Sequence, residues 1–140
     1  MENIIPTVGV LTFSNNQVLL VSHTQKADHL NDSKGLPGGR LNEDESEIEA
    51  AIRELEEETG YIALAQDLIE LPQTYSAKIP RKGGVKNFSL KVFLCLKYSG
   101  DLRPSDETIP LWIDLSQLNN LNLLPNTYEA INQGINYKKQ

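Results

Sequence analysis

Glu54, Glu57 and Glu58 stand at spacings i, i+3 and i+4. On a helix, a rotation of about 100° per residue gathers them within an arc of about 100°, one carboxylate patch on adjacent turns. Like charges at these spacings repel, and a hard divalent cation, which prefers clustered carboxylate oxygens, would relieve them. An acidic run such as Glu54-Leu55-Glu56-Glu57-Glu58 is more often a solvated helix face, and Arg53 could partner a neighbouring glutamate. From the helix alone that plainer reading is favoured. Upstream, Leu36-Pro37-Gly38-Gly39 would let the backbone approach the patch closely, because glycine has no Cβ, and its carbonyls could complete a metal site. Taken alone, the same residues make an ordinary turn.

The elements that would position these groups are marked nearby. Ser46 and Glu49 form an S-x-x-E capping box and Gly60 is a C-terminal stop, which predicts a helix from about Glu47 to Glu58. Ile48, Ala51, Ile52 and Leu55 recur at i, i+3, i+4 and i+7 and make the core-facing stripe. The glutamates then lie on the polar side, near a helix C-terminus whose dipole prefers cations.

Around this helix, Ile4 to Phe13 and Gln17 to Val21 are apolar runs separated by Ser14-Asn15-Asn16, which predicts a β-hairpin. The polar segment from Ser22 to Lys34 reads as an exposed loop. Phe88 to Tyr98 alternates as a strand, with Phe88, Leu90, Val92, Leu94, Leu96 and Tyr98 on one face. Leu111-Trp112-Ile113 reads as a short strand, and Asp114 as the N-cap of a brief helix through Leu118. A last helix is expected after Pro125-Asn126, with Asn126 and Glu129 as a variant capping box and Gly134 as its stop. Mixed strands and helices in this order predict an α/β or α+β sandwich. Lys78, Arg81, Lys82 and Lys86 place four of the 13 basic residues around Gly83-Gly84. Arg81 and Lys82 in particular are candidates to grip distant phosphates of a substrate; a solvated hairpin tip is the blander alternative.

A chain of 140 residues fits one domain spanning residues 1–140. Its net charge of −6 argues against long nucleic acids as partners, whose binding draws on Lys and Arg, while a small anionic substrate remains compatible if local cations or a metal receive it. No apolar run is long enough for a membrane span, and Met1 to Pro6 lacks the features of a secretory signal, so a cytoplasmic location is expected. Cys95, the single cysteine, reads as a buried thiol.

Read together, Gly39, Glu45, Arg53-Glu54-Leu55, Glu57-Glu58 and Gly60 resemble the Nudix box: glycine, five residues, glutamate, seven residues, Arg-Glu-aliphatic, one residue, Glu-Glu, one residue, glycine. Every polar and glycine position matches between Gly39 and Tyr61. Tyr61 stands where the family usually has an aliphatic residue, and Lys34 where many members carry a tryptophan. The resemblance implies an α/β class fold, the Nudix-type α/β/α sandwich with a mixed β-sheet. It implies a hydrolase that uses Mg²⁺, or Mn²⁺, to cut a phosphoanhydride bond in a nucleoside-diphosphate-linked compound or a nucleoside triphosphate.

By the same resemblance, Glu54, Glu57, Glu58 and the carbonyl of Gly39 would bind the metal, and Arg53 would hold a catalytic carboxylate in place. Glu45 would support the join between loop and helix. Glu107, with Asp106 as a substitute, looks like the later carboxylate that some members use as a base, and an exposed acidic turn is the alternative. Trp112, Tyr75 and Phe88 are candidates to stack on a nucleotide base, or core residues. The partner implied is a small nucleotide, and the protein a monomer or homodimer. A Nudix-fold module that senses a nucleotide without cutting it is the alternative function, although its signature, loss of box carboxylates, is not met. An EF-hand is not expected, since Asp28 to Ser33 lacks the loop's glycine and the spacing to a closing glutamate fails.

Overall fold

The computed structural model describes residues 3–24 and 33–139. The expected hairpin is present. β1 (Ile4–Ser14) and β2 (Gln17–His23) pair antiparallel beside the Asn15-Asn16 turn, where Asn15 takes a φ of 56°. Their pairing is confined to Phe13↔Val18 and Ser14↔Gln17, after which the two strands diverge. The segment bearing Leu36-Pro37-Gly38-Gly39 fills the opening. β3 (Lys34–Gly35) pairs with the far end of β2, and β4 (Gly38–Arg40) pairs with the start of β1 through Thr7↔Arg40, Val8↔Gly39 and Gly9↔Gly38. The Val10 N–H donates to the Pro37 carbonyl at 2.8 Å, so the turn between them is built into the sheet.

The rest of the sheet surrounds this split. β6 (Leu68–Arg81) and β7 (Gly84–Cys95) form a long antiparallel hairpin, and β7 runs parallel to β1. β9 (Thr108–Asp114) pairs with the whole length of β2. α1 (Glu47–Thr59) covers one face, where Ala50, Ala51 and Leu55 pack with Val8, Val10, Phe93 and Cys95. α2 (Thr127–Lys138) covers the other, where Ala130 and Ile131 pack with Leu11, Leu71, Val92 and Leu94. The result is the mixed-sheet α/β/α sandwich. Two short strands, β5 (Tyr61–Ile62) and β8 (Ser99–Gly100), pair separately beside the end of α1. Among the described residues no helix is long and apolar enough to cross a membrane.

Several local expectations need correction. β7 begins before Phe88 and ends at Cys95, and Leu96 is exposed. The clean alternation fails because helices cover both faces, so Phe93 and Cys95 are buried as deeply as Val92 and Leu94. Asp114 precedes a 3-10 turn, Leu115–Asn120, but its carboxylate accepts from Gln17 Nε2 at 2.9 Å and does not cap. Asn126 lies before α2 with φ 70°, yet its amide donates to the Ser76 carbonyl at 3.0 Å. Gly134 does not end α2. It is buried mid-helix where a Cβ would strike Leu11, so close packing against β1 selects glycine there. The polar loop starts later than expected, since Ser22 and His23 belong to β2, and its 25–32 portion, with the Asp28 to Asp32 residues of the rejected EF-hand, lies outside the described residues.

Candidate active site

α1 is set by its ends. Ser46 Oγ accepts the Glu49 N–H at 3.2 Å while Glu49 Oε1 accepts the Ser46 N–H at 2.9 Å, a complete capping box. Gly60 closes the helix at φ 88°, a left-handed conformation that favours glycine, and its N–H bonds the Glu56 carbonyl. Between these caps the polar face meets β4, which is where the split sheet places Gly38 and Gly39.

Here Glu54, Glu58, Gly38 and Gly39 line one cleft of about 450 Å³, together with Arg40, Asn42, Arg53, His23, Arg81, Phe88 and Glu107. The Gly38 N–H donates to Glu58 Oε1 at 2.7 Å. The Glu54 carboxylate lies so near Gly39 that a Cβ there would meet it, with the carboxyl carbon 2.9 Å away. A Cβ on Gly38 would instead strike the backbone of Val8 and Gly9. Both glycines are therefore required for this approach, one by a side chain and one by the sheet.

Arg53 organises the carboxylates around the cleft. Its guanidinium grips Glu45 through two contacts, Nε–Oε2 at 2.7 Å and Nη2–Oε1 at 2.9 Å. It also reaches Glu54, the Arg40 carbonyl at 3.0 Å and Glu57 Oε1 at 3.1 Å. Glu45 in turn accepts the Asn42 N–H at 2.8 Å, so it ties the loop to the helix as expected. This bonding, to Arg53 first, lowers the Glu45 pKa from 4.5 to about 2. A depressed carboxylate adds stability above its ordinary pKa that is lost as the pH falls toward the folded value. Wild type should therefore melt above Glu45→Gln near neutral pH, and the gap should close between pH 4.5 and about 2. A constant gap across an acid melt series would count against this role.

The three glutamates of α1 stay neighbours but line two surfaces. Glu57 has a 58% exposed side chain and faces an outer groove with Glu49, Glu56 and Arg103, while Glu54 and Glu58 face the cleft. The guanidinium of Arg53, bonded to both Glu54 and Glu57, borders the cleft and the groove alike. Among the described residues no three acidic, histidine or cysteine side chains form a ready metal cage. Glu58 carries the strongest electrostatic stress. Burial raises its pKa well above the ordinary range, the Gly38 N–H opposes this, and the charges of Glu54, Glu107 and Glu57 raise it further. Burial likewise raises Glu54, against the pull of Arg53.

Glu107 comes to this site by a turn. Ser105 Oγ accepts the Glu107 and Thr108 N–H groups, and Thr108 Oγ1 donates to the Glu58 carbonyl at 3.1 Å. The end of α1 thus anchors the turn that carries Glu107 to the cleft, while Asp106 is exposed and does not line it.

The family model for the NUDIX domain matches residues 4–133. The chain belongs to the Nudix hydrolase family. No curated protein matched it. Among solved structures, this Nudix hydrolase is similar to a MutT NUDIX hydrolase from Burkholderia pseudomallei, with 24% identity and a TM-score of 0.77 over 94% of this chain and 98% of the other. It is similar to the NUDIX domain of Shewanella oneidensis NrtR complexed with ADP ribose, with 20% identity and a TM-score of 0.75 over 99% and 90%. A bifunctional NMN adenylyltransferase/ADP ribose pyrophosphatase from Francisella tularensis, complexed with AMP and a Mn ion, shares 24% identity and a TM-score of 0.70 over 98% of this chain and 42% of the other. At these identities the likeness is one of fold.

Of the basic residues singled out in the sequence, Arg81 lines the cleft of this Nudix hydrolase and Lys82 does not. Strand alternation explains it, since Ala77, Ile79 and Arg81 face inward and Lys82 begins the exposed turn. Of the three aromatic candidates, Phe88 lines the cleft. Tyr75 bonds Gln73 and Gln133 beside α2, and Trp112 packs with Tyr61 and Tyr98, donating to the Tyr61 hydroxyl at 3.3 Å. Tyr61 thus replaces an aliphatic side chain by joining an aromatic cluster. Cys95 is buried, as expected. Sequence reading missed Arg40 and His23. Arg40 was signalled by its place directly after Gly39. His23 would have been found by extending β2 two residues past Val21, opposite Thr108.

Proposed function

We propose that this Nudix hydrolase cuts a phosphoanhydride bond in a nucleoside-diphosphate-linked compound or a nucleoside triphosphate, with Mg²⁺ or Mn²⁺ bound at the cleft. The observation that carries the reading is the buried Glu58 carboxylate, bonded to the Gly38 N–H and facing Glu54 and Glu107. Such a group favours a cation, and the oxygen-rich donors around it suit a hard one. Glu54, Glu58 and the Gly39 carbonyl would hold it, and Glu57, now 3.1 Å from Arg53, would be the further ligand. Bound there, a divalent ion supplies neutralisation of phosphate charge and a lowered pKa for a nearby water.

The chain's own groups do the rest. Arg53, held by Glu45, keeps Glu54 in position against Gly39. The proton of the attacking water passes to a carboxylate, Glu54 of the helix or Glu107 of the turn before β9. The nucleotides in complexes of the fold relatives, ADP ribose and AMP, are in keeping with this substrate class. A hydrolysis panel of nucleoside triphosphates, ADP-ribose, dinucleoside polyphosphates and NADH, with Mg²⁺, Mn²⁺ or EDTA, tests it. At least one compound should be cut only with metal, releasing a nucleoside monophosphate or similar product. If none is cut, the hydrolase reading fails and the nucleotide-sensing module becomes the favoured alternative.

A further inference from the structure

Hydroxyl groups tie the Glu107 turn to α1, and their protons can run in one direction only. Thr108, the first residue of β9, is fully buried, and its Oγ1 lies 3.1 Å from the Glu58 carbonyl and 2.8 Å from Ser105 Oγ. A hydroxyl has one proton to give and two lone pairs. The carbonyl can only accept, so the Thr108 proton goes to Glu58. Ser105 must then donate to Thr108. The lone pairs of Ser105 Oγ remain for the N–H groups of Glu107, at 3.2 Å, and Thr108, at 3.0 Å, so each donor in the chain has an acceptor. Hydrogen bonds aligned in this way polarise and strengthen one another.

Both ends of the chain reach the cleft. Glu58 belongs to the last turn of α1, where carbonyls lack a partner within the helix, so the Thr108 hydroxyl meets a need the helix leaves open. The same Glu58 places its carboxylate in the cleft, where Oε1 accepts the Gly38 N–H at 2.7 Å. At the other end, the Glu107 N–H is held by Ser105, its carbonyl accepts the Thr24 N–H at 2.8 Å, and Glu107 lines the cleft. Thr24 follows β2 and ties the turn to the sheet, while the hydroxyl chain ties it to the helix. The place of Glu107 relative to Glu58 is therefore set through the Glu58 backbone.

We infer that Thr108 is a positioning residue for hydrolysis: acting through Ser105, its hydroxyl holds Glu107 in place opposite Glu58 to take the proton of the attacking water. This role rests on the hydrolase reading of the cleft. Of the two carboxylates named there for the proton it takes Glu107, because Glu54 is also bonded to Arg53 and named as a metal ligand. Neither Thr108 nor Ser105 lines the cleft, and their hold on the turn can be measured without metal or turnover.

Thr108→Val keeps the shape and removes the hydroxyl, Thr108→Ser keeps the hydroxyl, and Ser105→Ala breaks the same chain at a half-buried position should Thr108→Val fail to fold. In EDTA, breaking the chain should quicken amide hydrogen exchange at positions 105, 107 and 108 about tenfold, and Thr108→Ser should exchange as wild type does. With Mg²⁺ and a nucleotide that wild type cuts, Thr108→Val and Ser105→Ala should lower kcat about tenfold while KM stays within about twofold, since they misplace a group that acts on water and not on substrate binding. Thr108→Ser should keep kcat within about twofold of wild type. Glu107→Gln should itself lower kcat about 100-fold, and in that background Thr108→Val should cost no more than about a further twofold, because no base is left to misplace. Full turnover by Glu107→Gln, equal kcat losses from Thr108→Val in both backgrounds, or exchange or kcat unchanged once the chain is broken would overturn this role. If exchange quickens but wild type cuts no nucleotide, Thr108 holds the turn and the hydrolase reading is what fails.

Discussion

Glu58→Gln is expected to lower turnover about 1000-fold while raising the melting temperature of the metal-free protein by a few degrees. The substitution keeps shape, and its amide oxygen can still accept the Gly38 N–H that Glu58 Oε1 accepts at 2.7 Å. What it removes is a buried carboxyl whose ionisation is opposed by burial first and then by the charges of Glu54, Glu107 and Glu57. Because burial raises the Glu58 pKa in the fold, the native state holds a proton that the unfolded chain releases, so wild type loses stability as pH rises above the ordinary carboxylate range. The variant lacks that loss, and the gap between them in EDTA should widen from acid toward neutral pH. Added Mg²⁺ should reverse the ranking. A ligand that binds only the native state at 100 times its Kd adds about 2.7 kcal/mol, and wild type should gain far more of this than the variant. Melts in EDTA and in Mg²⁺, beside an activity assay, read all three effects. Equal stabilisation of both proteins by Mg²⁺ would remove Glu58 from the metal site.

The contrast between Glu58 and Glu57 marks where sequence reasoning stopped. Capping residues and a 3.6-residue period act locally, so Ser46, Glu49, Gly60 and the stripe through Ala51 and Leu55 specified α1 to within a residue. Spacing also fixed the azimuth of each glutamate. It carried no information on which surface each side chain would line, and Glu54 and Glu58 face the cleft while Glu57 faces the outer groove, with Arg53 bonded to both Glu54 and Glu57. Long-range pairing was less legible still. Phe88 gained two arginine neighbours because β4 inserts between diverging strands and Arg81 falls on the inward side of β6. No window of sequence containing Phe88 includes Arg40. Gly134 erred in the opposite direction, since a local stop signal was overridden by contact with Leu11.

The two glycines of β4 should separate stability from catalysis. Gly38→Ala would drive its Cβ into the Val8 carbonyl and to within 2.9 Å of Gly9 Cα, both backbone of β1 in a paired register. Neither can retreat without opening the sheet, so the variant should lose about 3 kcal/mol or more, a fall of roughly 10 °C in melting temperature. Gly39→Ala meets a different obstacle, the end of the Glu54 side chain, with its carboxyl carbon 2.9 Å away. That side chain can swing aside. Arg53 would lose one partner yet keep Glu45 and Glu57, so the fold should lose no more than about 1 kcal/mol. The displaced Glu54 would no longer meet the metal or the water that the proposed reaction needs, and a misplacement of about 1 Å is enough to slow the reaction about 100-fold. Thermal melts and kcat for the two variants, measured together, decide the matter. If Gly39→Ala retained wild-type kcat, the close seating of Glu54 on Gly39 would have no part in the chemistry; if it unfolded as readily as Gly38→Ala, the glycine would serve the sheet alone.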